Sequence, residues 1–96
     1  MKVRWTSPAL RDLEAIGDFI KHDNSAAVAA RIVTAILDQA GKLAAFPHLG
    51  RAGRIPGTRE LVVADTPFIA PYRVHDDDVQ ILAVFHGARK WPEKLD

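Results

Sequence analysis

Residues 7–47, SPALRDLEAIGDFIKHDNSAAVAARIVTAILDQAGKLAAFP, carry two stretches of helical periodicity separated by almost nothing. In the first, Leu10, Leu13, Ile16 or Gly17, and Ile20 recur at helix spacing, while Arg11, Asp12, Glu14, Asp18 and Lys21 face away. Ser7-Pro8 predicts the start: the Ser7 hydroxyl accepts an N–H of the first turn, and Pro8 at the first helical position loses no bond. The helix is expected to stop near His22, because Asp23-Asn24-Ser25 is capping chemistry for the next one. In the second, Val28, Ile32, Ile36, Ala40 and Leu43 mark one face, Val33 and Leu37 widen it, and Pro47 ends it. Two amphipathic helices so closely joined predict an antiparallel hairpin.

Upstream, Val3 and Trp5 alternate with Lys2, Arg4 and Thr6, the period of a short strand. Downstream, residues 47–58 (PHLGRAGRIPGT) hold two prolines and three glycines and predict a loop. Three strands are expected after it, over 59–64, 68–74 and 79–86, with turns at Asp65-Thr66-Pro67 and Asp76-Asp77-Asp78. The last strand is apolar on both faces and should be central: Val79, Ile81, Ala83 and Phe85 on one face, Leu82 and Val84 on the face opposite the helices. Pro71 offers no donor to a ladder, which predicts a bulge in the middle strand. The expected fold class is α+β, ordered β-α-α-β-β-β. A helical hairpin packs on one face of a small, mainly antiparallel sheet, with residues 1–96 forming one domain.

At 48% hydrophobic and 26% charged, the 96-residue chain is too apolar for a disordered one. No apolar run approaches the ~18 to 20 residues of a membrane span, so no membrane partner is expected. Residues 1–5 lack the apolar run of a signal peptide. The absence of cysteine excludes a disulfide scaffold and a thiolate metal site, and fits the cytoplasm. Thirteen Lys and Arg against twelve Asp and Glu give a net charge of +1, which excludes general adhesion to nucleic acid. The distribution is uneven. No acid occurs from Gln39 to Arg59, where Lys42, Arg51, Arg54 and Arg59 fall, and Arg89, Lys90 and Lys94 form a second basic group. Both groups are expected on one side of the domain, facing one anionic surface.

Candidate chemistry is sparse. His22, His48, His75 and His86 have no ligand spacing, so no metal is expected, and Ser7 and Ser25 sit where caps belong. The Gly50-Arg51-Ala52-Gly53-Arg54 loop lacks the Gly-Lys-Ser/Thr ending of a phosphate-binding loop. Its arginines suit a backbone phosphate or a partner carboxylate, and its glycines also suit a solvated turn. In the segment from His86 to Pro92, His86, Arg89, Lys90 and Trp91 bring together an imidazole, two cations and an indole. A metal-free ribonuclease needs proton transfer and charge stabilisation at the phosphate, and a surface on which a base stacks. The same residues also read as an indole sealing the core edge between solvated cations.

Several strings carry a resemblance over nearly the full chain. They are Val3-Arg4-Trp5-Thr6 with Ala9-Leu10-Arg11-Asp12-Leu13, Phe46-Pro47-His48-Leu49-Gly50-Arg51, and Thr58-Arg59-Glu60-Leu61-Val62. Pro71-Tyr72-Arg73-Val74 and Ile81-Leu82-Ala83-Val84-Phe85-His86-Gly87-Ala88-Arg89 follow. In order and spacing they resemble the toxins of type II toxin–antitoxin modules in the RelE/ParE superfamily. The resemblance implies a bacterial, cytoplasmic growth inhibitor associated with plasmid stabilisation, working without a cofactor and neutralised by a cognate antitoxin in a hetero-oligomeric complex. ParE-like members poison DNA gyrase; RelE-like members are mRNA interferases that cut messenger on the ribosome.

Ile69 stands where RelE-like toxins carry an early strand arginine, and Trp91 is the one stand-in for a stacking tyrosine. Tyr72-Arg73-Val74 and the spacing of His86 to Arg89 look more like ParE. The resemblance therefore favours gyrase, with Arg51, Arg54, Arg59, Arg89, Lys90 and Trp91 as target- or phosphate-binding residues. The enzymatic alternative makes His86 the acid or base, with Arg59, Arg73 and Arg89 as phosphate clamps. A third alternative is an inactive homologue that binds antitoxin alone. In each, Leu82 and Val84 are the expected antitoxin-facing residues.

Overall fold

The computed structural model describes residues 1–88. The first strand, β1 (Lys2–Trp5), runs into helix α1 (Ser7–Asp23) through Thr6. Thr6, not Ser7, is the cap: its Oγ1 accepts the Ala9 N–H at 3.3 Å and donates to the Ile81 carbonyl at 2.8 Å. One hydroxyl thus ties the helix start to the sheet, a tie that the sequence of the helix alone does not reveal. The cap shift comes with a shifted face. Ala9 and Leu13 are buried and Leu10 is 51% exposed, so the inward stripe is Ala9, Leu13, Ile16 and Ile20.

Helix α2 (Ala26–Gly41) begins at Ser25, whose Oγ accepts the Val28 N–H at 3.0 Å. Ala29, Ile32, Ile36 and Ala40 are buried, and Leu37 is largely exposed. A Cβ on Gly17 would lie 3.3 Å from Val33 Cγ2, so the missing side chain lets the two helices approach closely there. The α-helix ends at Gly41, short of Pro47, and a 3-10 turn (Lys42–Ala44) carries Leu43 into the core.

The rest of the chain builds β2 (Arg51–Ala52), β3 (Arg59–Val62), β4 (Phe68–His75), β5 (Asp78–Ile81) and β6 (Phe85–His86). The sheet order is β1-β5-β4-β3-β2, and β6 lies beside the start of β4. β1 pairs parallel with β5; the other pairs are antiparallel. The helical hairpin covers one face, where Leu61, Phe68, Ala70, Tyr72, Val79 and Ile81 join Leu13, Ile32, Ile36 and Leu43 in the core. The α+β class and the element order follow the sequence pattern, with β2 added inside the expected loop. No helix among the described residues is long and apolar enough to cross a membrane.

A bulge does occur at Pro71, but on the neighbouring strand. β4 runs unbroken through Pro71, while Tyr72 faces Ile81 and Ile69 faces Phe85. Leu82, Ala83 and Val84 therefore oppose only Ala70 and Pro71, one residue too many. The Pro71 carbonyl accepts the Leu82 N–H at 2.9 Å, and on that same side the proline has no donor to return. The extra residue inverts the alternation beyond it. Leu82 keeps the face opposite the helices, whereas Val84 turns into the helix-side core. Neither forms the uncovered apolar surface expected for an antitoxin: Leu82 is 7% exposed and Val84 3%.

Candidate functional site

The basic loop is organised by an acid that the charge pattern placed just outside it. Register sets Arg51 of β2 opposite Glu60 of β3, and Glu60 is nearly fully buried. Its Oε1 accepts from Arg51 Nε and Nη2 at 3.0 and 2.9 Å; its Oε2 accepts from the backbone N–H and Nε of Arg54, both at 3.0 Å. Burial pushes the Glu60 carboxyl up more than any one donor pulls it down. The Arg54 amide, the two guanidinium groups and the nearby Arg54 charge together hold it below the usual glutamate range. The arginine side chains remain about half exposed.

Tyr72 fixes the other end of the loop. Its hydroxyl accepts the Gly50 N–H at 2.9 Å and donates to the Pro47 carbonyl at 2.8 Å. Burial raises its pKa, against the Gly50 hydrogen bond and the Arg59 charge, which lower it. Gly50 is required by close approach: a Cβ would stand 2.6 Å from Tyr72 Cε1 and 2.8 Å from the Glu60 carbonyl oxygen. Arg59 donates through Nη1 to the Gly50 carbonyl at 2.9 Å and so serves the loop's own backbone.

His86 lies elsewhere. It stacks edge-on against Phe68 at 5.8 Å, and its Nδ1 accepts the Ala88 N–H at 3.1 Å. With Asp12, Ala15, Ile16, Phe19, Phe68 and Val84 it lines a groove of about 290 Å³ between α1 and the sheet. The inverted alternation after the bulge puts it on the helix side, and Asp12 Oδ2 holds the bulge by accepting the Val84 N–H at 3.0 Å. Arg73 stands at the far end of β4 on the opposite face, donating to Gln80 Oε1 at 2.8 Å. Phe68, the partner of His86, precedes Arg73 by a stretch of strand worth ~17 Å at ~3.3 Å per residue. His86 and Arg73 are therefore not one constellation. Arg89, Lys90 and Trp91 lie outside the described residues, as does the expected union of the two basic groups.

A second groove, of about 330 Å³, runs between the end of α2 and β3, lined by Gln39, Lys42, Leu49, Gly50, Arg51, Glu60, Leu61 and Val62. Among the described residues no cluster of three or more His, Asp or Glu is arranged to hold a metal ion. Sequence reasoning missed Glu60, Tyr72, Asp12 and Gln39. The one available signal was Glu60 itself, an acid closing an otherwise acid-free basic stretch.

Comparison with known proteins agrees with the geometry of the fold. The family model described as the ParE toxin of type II toxin–antitoxin system, parDE, matches residues 3–91. A putative toxin, Y4kP, of Sinorhizobium fredii is 49% identical over 94 residues, covering 98% of this chain and 96% of that protein. Toxin RelE2 of Caulobacter vibrioides is 39% identical over 88 residues, covering 92% and 97%. Among solved structures, the chromosomal ParDE toxin–antitoxin system from P. aeruginosa contains a chain that superposes with a TM-score of 0.82 at 34% identity. That match covers 90% of this chain and 95% of the other.

Proposed function

The chain belongs to the ParE toxin family of type II toxin–antitoxin systems, and on that footing we propose that it arrests growth by binding DNA gyrase, held silent by a cognate antitoxin. The observation that carries this reading is the dispersal of the ribonuclease candidates. His86 and Arg73 lie on opposite faces toward opposite ends of β4, and Arg59 is engaged with the loop backbone. General acid–base work on a phosphodiester needs these groups within hydrogen-bond reach of one another's substrate atoms, and a ~17 Å offset along a strand is far outside it. A binding toxin needs only a surface, whose energy is spread over several residues.

Purified protein added to a gyrase supercoiling reaction tests the proposal. Inhibition relieved by stoichiometric antitoxin is expected, with messenger left intact in a reconstituted translation reaction. Messenger cleavage without loss of supercoiling would overturn it in favour of a RelE-like activity, the reading that the name of the Caulobacter relative favours.

A further inference from the structure

A cavity of about 310 Å³ opens where the loop before β3 meets the sheet, lined by His48, Ala52, Gly57, Thr58, Arg59 and Val74. It holds an arginine and a histidine and no carboxylate, unlike the grooves that contain Glu60 and Asp12. The guanidinium is held in place. Arg59 Nη1 donates to the Gly50 carbonyl at 2.9 Å and reaches the His48 carbonyl at 3.5 Å, while the Tyr72 hydroxyl bonds both Pro47 and Gly50. His48 therefore sits on backbone that is fixed on both sides of it. Nε and Nη2 of Arg59 have no partner among the described residues, and these are the two nitrogens with which Arg51 holds Glu60. The Gly57 N–H is also without a partner there, because the turn around it is closed by the Thr58 N–H on the Ile55 carbonyl at 3.1 Å.

We propose that this cavity binds a phosphate monoester, with the Nε–Nη2 edge of Arg59 on two phosphoryl oxygens and His48 and Gly57 as further donors; the site is independent of the target on which the toxin acts. Paired N–H groups of arginine match phosphate geometry. An imidazole offers an N–H in either protonation state, and backbone N–H groups recur in phosphate sites. The competing anion is a carboxylate, and the number of donors decides against it. Its two oxygens are met by the arginine edge alone, which leaves His48 and Gly57 without a role. An internal phosphodiester likewise has two charged oxygens, whereas a monoester has three and carries about two negative charges near neutral pH. The cavity lies at the small end of ligand sites, with room for a phosphate and an attached sugar, and Ala52 and Val74 give the carbon side an apolar wall. A free nucleotide and a 5′-phosphorylated nucleic-acid end share this chemistry.

Titration of the full chain with adenosine 5′-monophosphate at constant ionic strength, followed by NMR, tests this. Saturable shifts of the His48 ring, the Arg59 Nε–H and the Gly57 amide are expected, with a dissociation constant of about 1 mM or tighter. Adenosine, which lacks the phosphate, should move none of them. His48→Ala, at an exposed side chain, should weaken binding about fivefold and leave the rest of the amide spectrum unchanged. Arg59→Lys keeps the charge but loses the paired edge, and should weaken binding about tenfold or more. If that variant does not fold, His48→Glu decides in its place: it sets a carboxylate beside the site and should abolish binding. A short DNA duplex with 5′-phosphates separates the two sources. The same shifts support a nucleic-acid end as ligand, and their absence supports a free nucleotide. Equal shifts from a duplex with 5′-hydroxyl ends, equally tight binding of acetate, or monophosphate binding that bypasses these three resonances would overturn the proposal. So would His48 variants that bind like the parent.

Discussion

Replacing Glu60 by glutamine keeps the shape of a buried side chain and removes the charge that gathers Arg51 and Arg54. Four contacts at about 3 Å converge on this carboxylate. Hydrogen bonds to charged groups are worth about 1.5–3 kcal/mol each in favourable settings. The sum must be discounted, because both arginines are about half exposed and turn readily to water, and the amide oxygen still accepts the Arg54 N–H. We expect Glu60→Gln to cost about 2 kcal/mol at pH 7, which for a domain of this size lowers the melting midpoint by roughly 8 to 16 °C. The sign with pH follows from the lowered pKa. The folded carboxyl titrates below the ordinary value of 4.5, so its contribution is complete above that value and is lost as pH falls through the folded one. Thermal unfolding followed by far-ultraviolet circular dichroism should therefore show a parent–variant gap that is constant from about pH 7 to 5 and closes below about pH 4.5. A variant that melts with the parent at neutral pH, or a gap that persists undiminished in acid, would refute the view that this charge organises the loop.

Two further substitutions probe the other anchors. Tyr72→Phe removes the bridge between Gly50 and Pro47 and should cost about 1–2 kcal/mol in urea unfolding, with faster amide exchange at Gly50 than in the parent. Asp12→Ala removes the acceptor of the Val84 N–H and should cost about 1–2 kcal/mol, with faster exchange at Val84 and altered His86 ring resonances; unchanged His86 resonances would separate the bulge from the placement of that ring.

Much of the fold was legible because it depends on local periodicity. The two helices, the cap at Ser25 and the alternating strands each declare themselves within a few residues. What escaped depends on partners distant in sequence. Thr6 outcompetes Ser7 as a cap because Ile81, far along the chain, accepts its hydroxyl proton. Leu82 and Val84 share a face in any uninterrupted strand, and the bulge opposite Pro71, held by Asp12, separates them. The proline does mark where the sheet is disturbed. Which strand would absorb it depends on the direction of its absent N–H, and that direction is set by sheet order.

The site shows the same dependence more sharply, because charge counted along the chain is not charge in space. The acid-free run from Gln39 to Arg59 suggested four available cations, yet β2, two residues long and too short to leave a pattern, delivers Arg51 to Glu60. Three of the four, Arg51, Arg54 and Arg59, bond within the loop and its strands. The loop they hold carries Leu49 and Gly50 into one wall of the groove at Val62, and Lys42 enters from the 3-10 turn after α2. Loop stability and groove shape are therefore one quantity: a change at Glu60 that loosens the loop also removes a wall from that groove. Substitution of the His48 side chain acts on the cavity at Arg59 without touching the Glu60 or Tyr72 anchors. Comparing the two classes by unfolding and by binding separates the scaffold from the surface it presents.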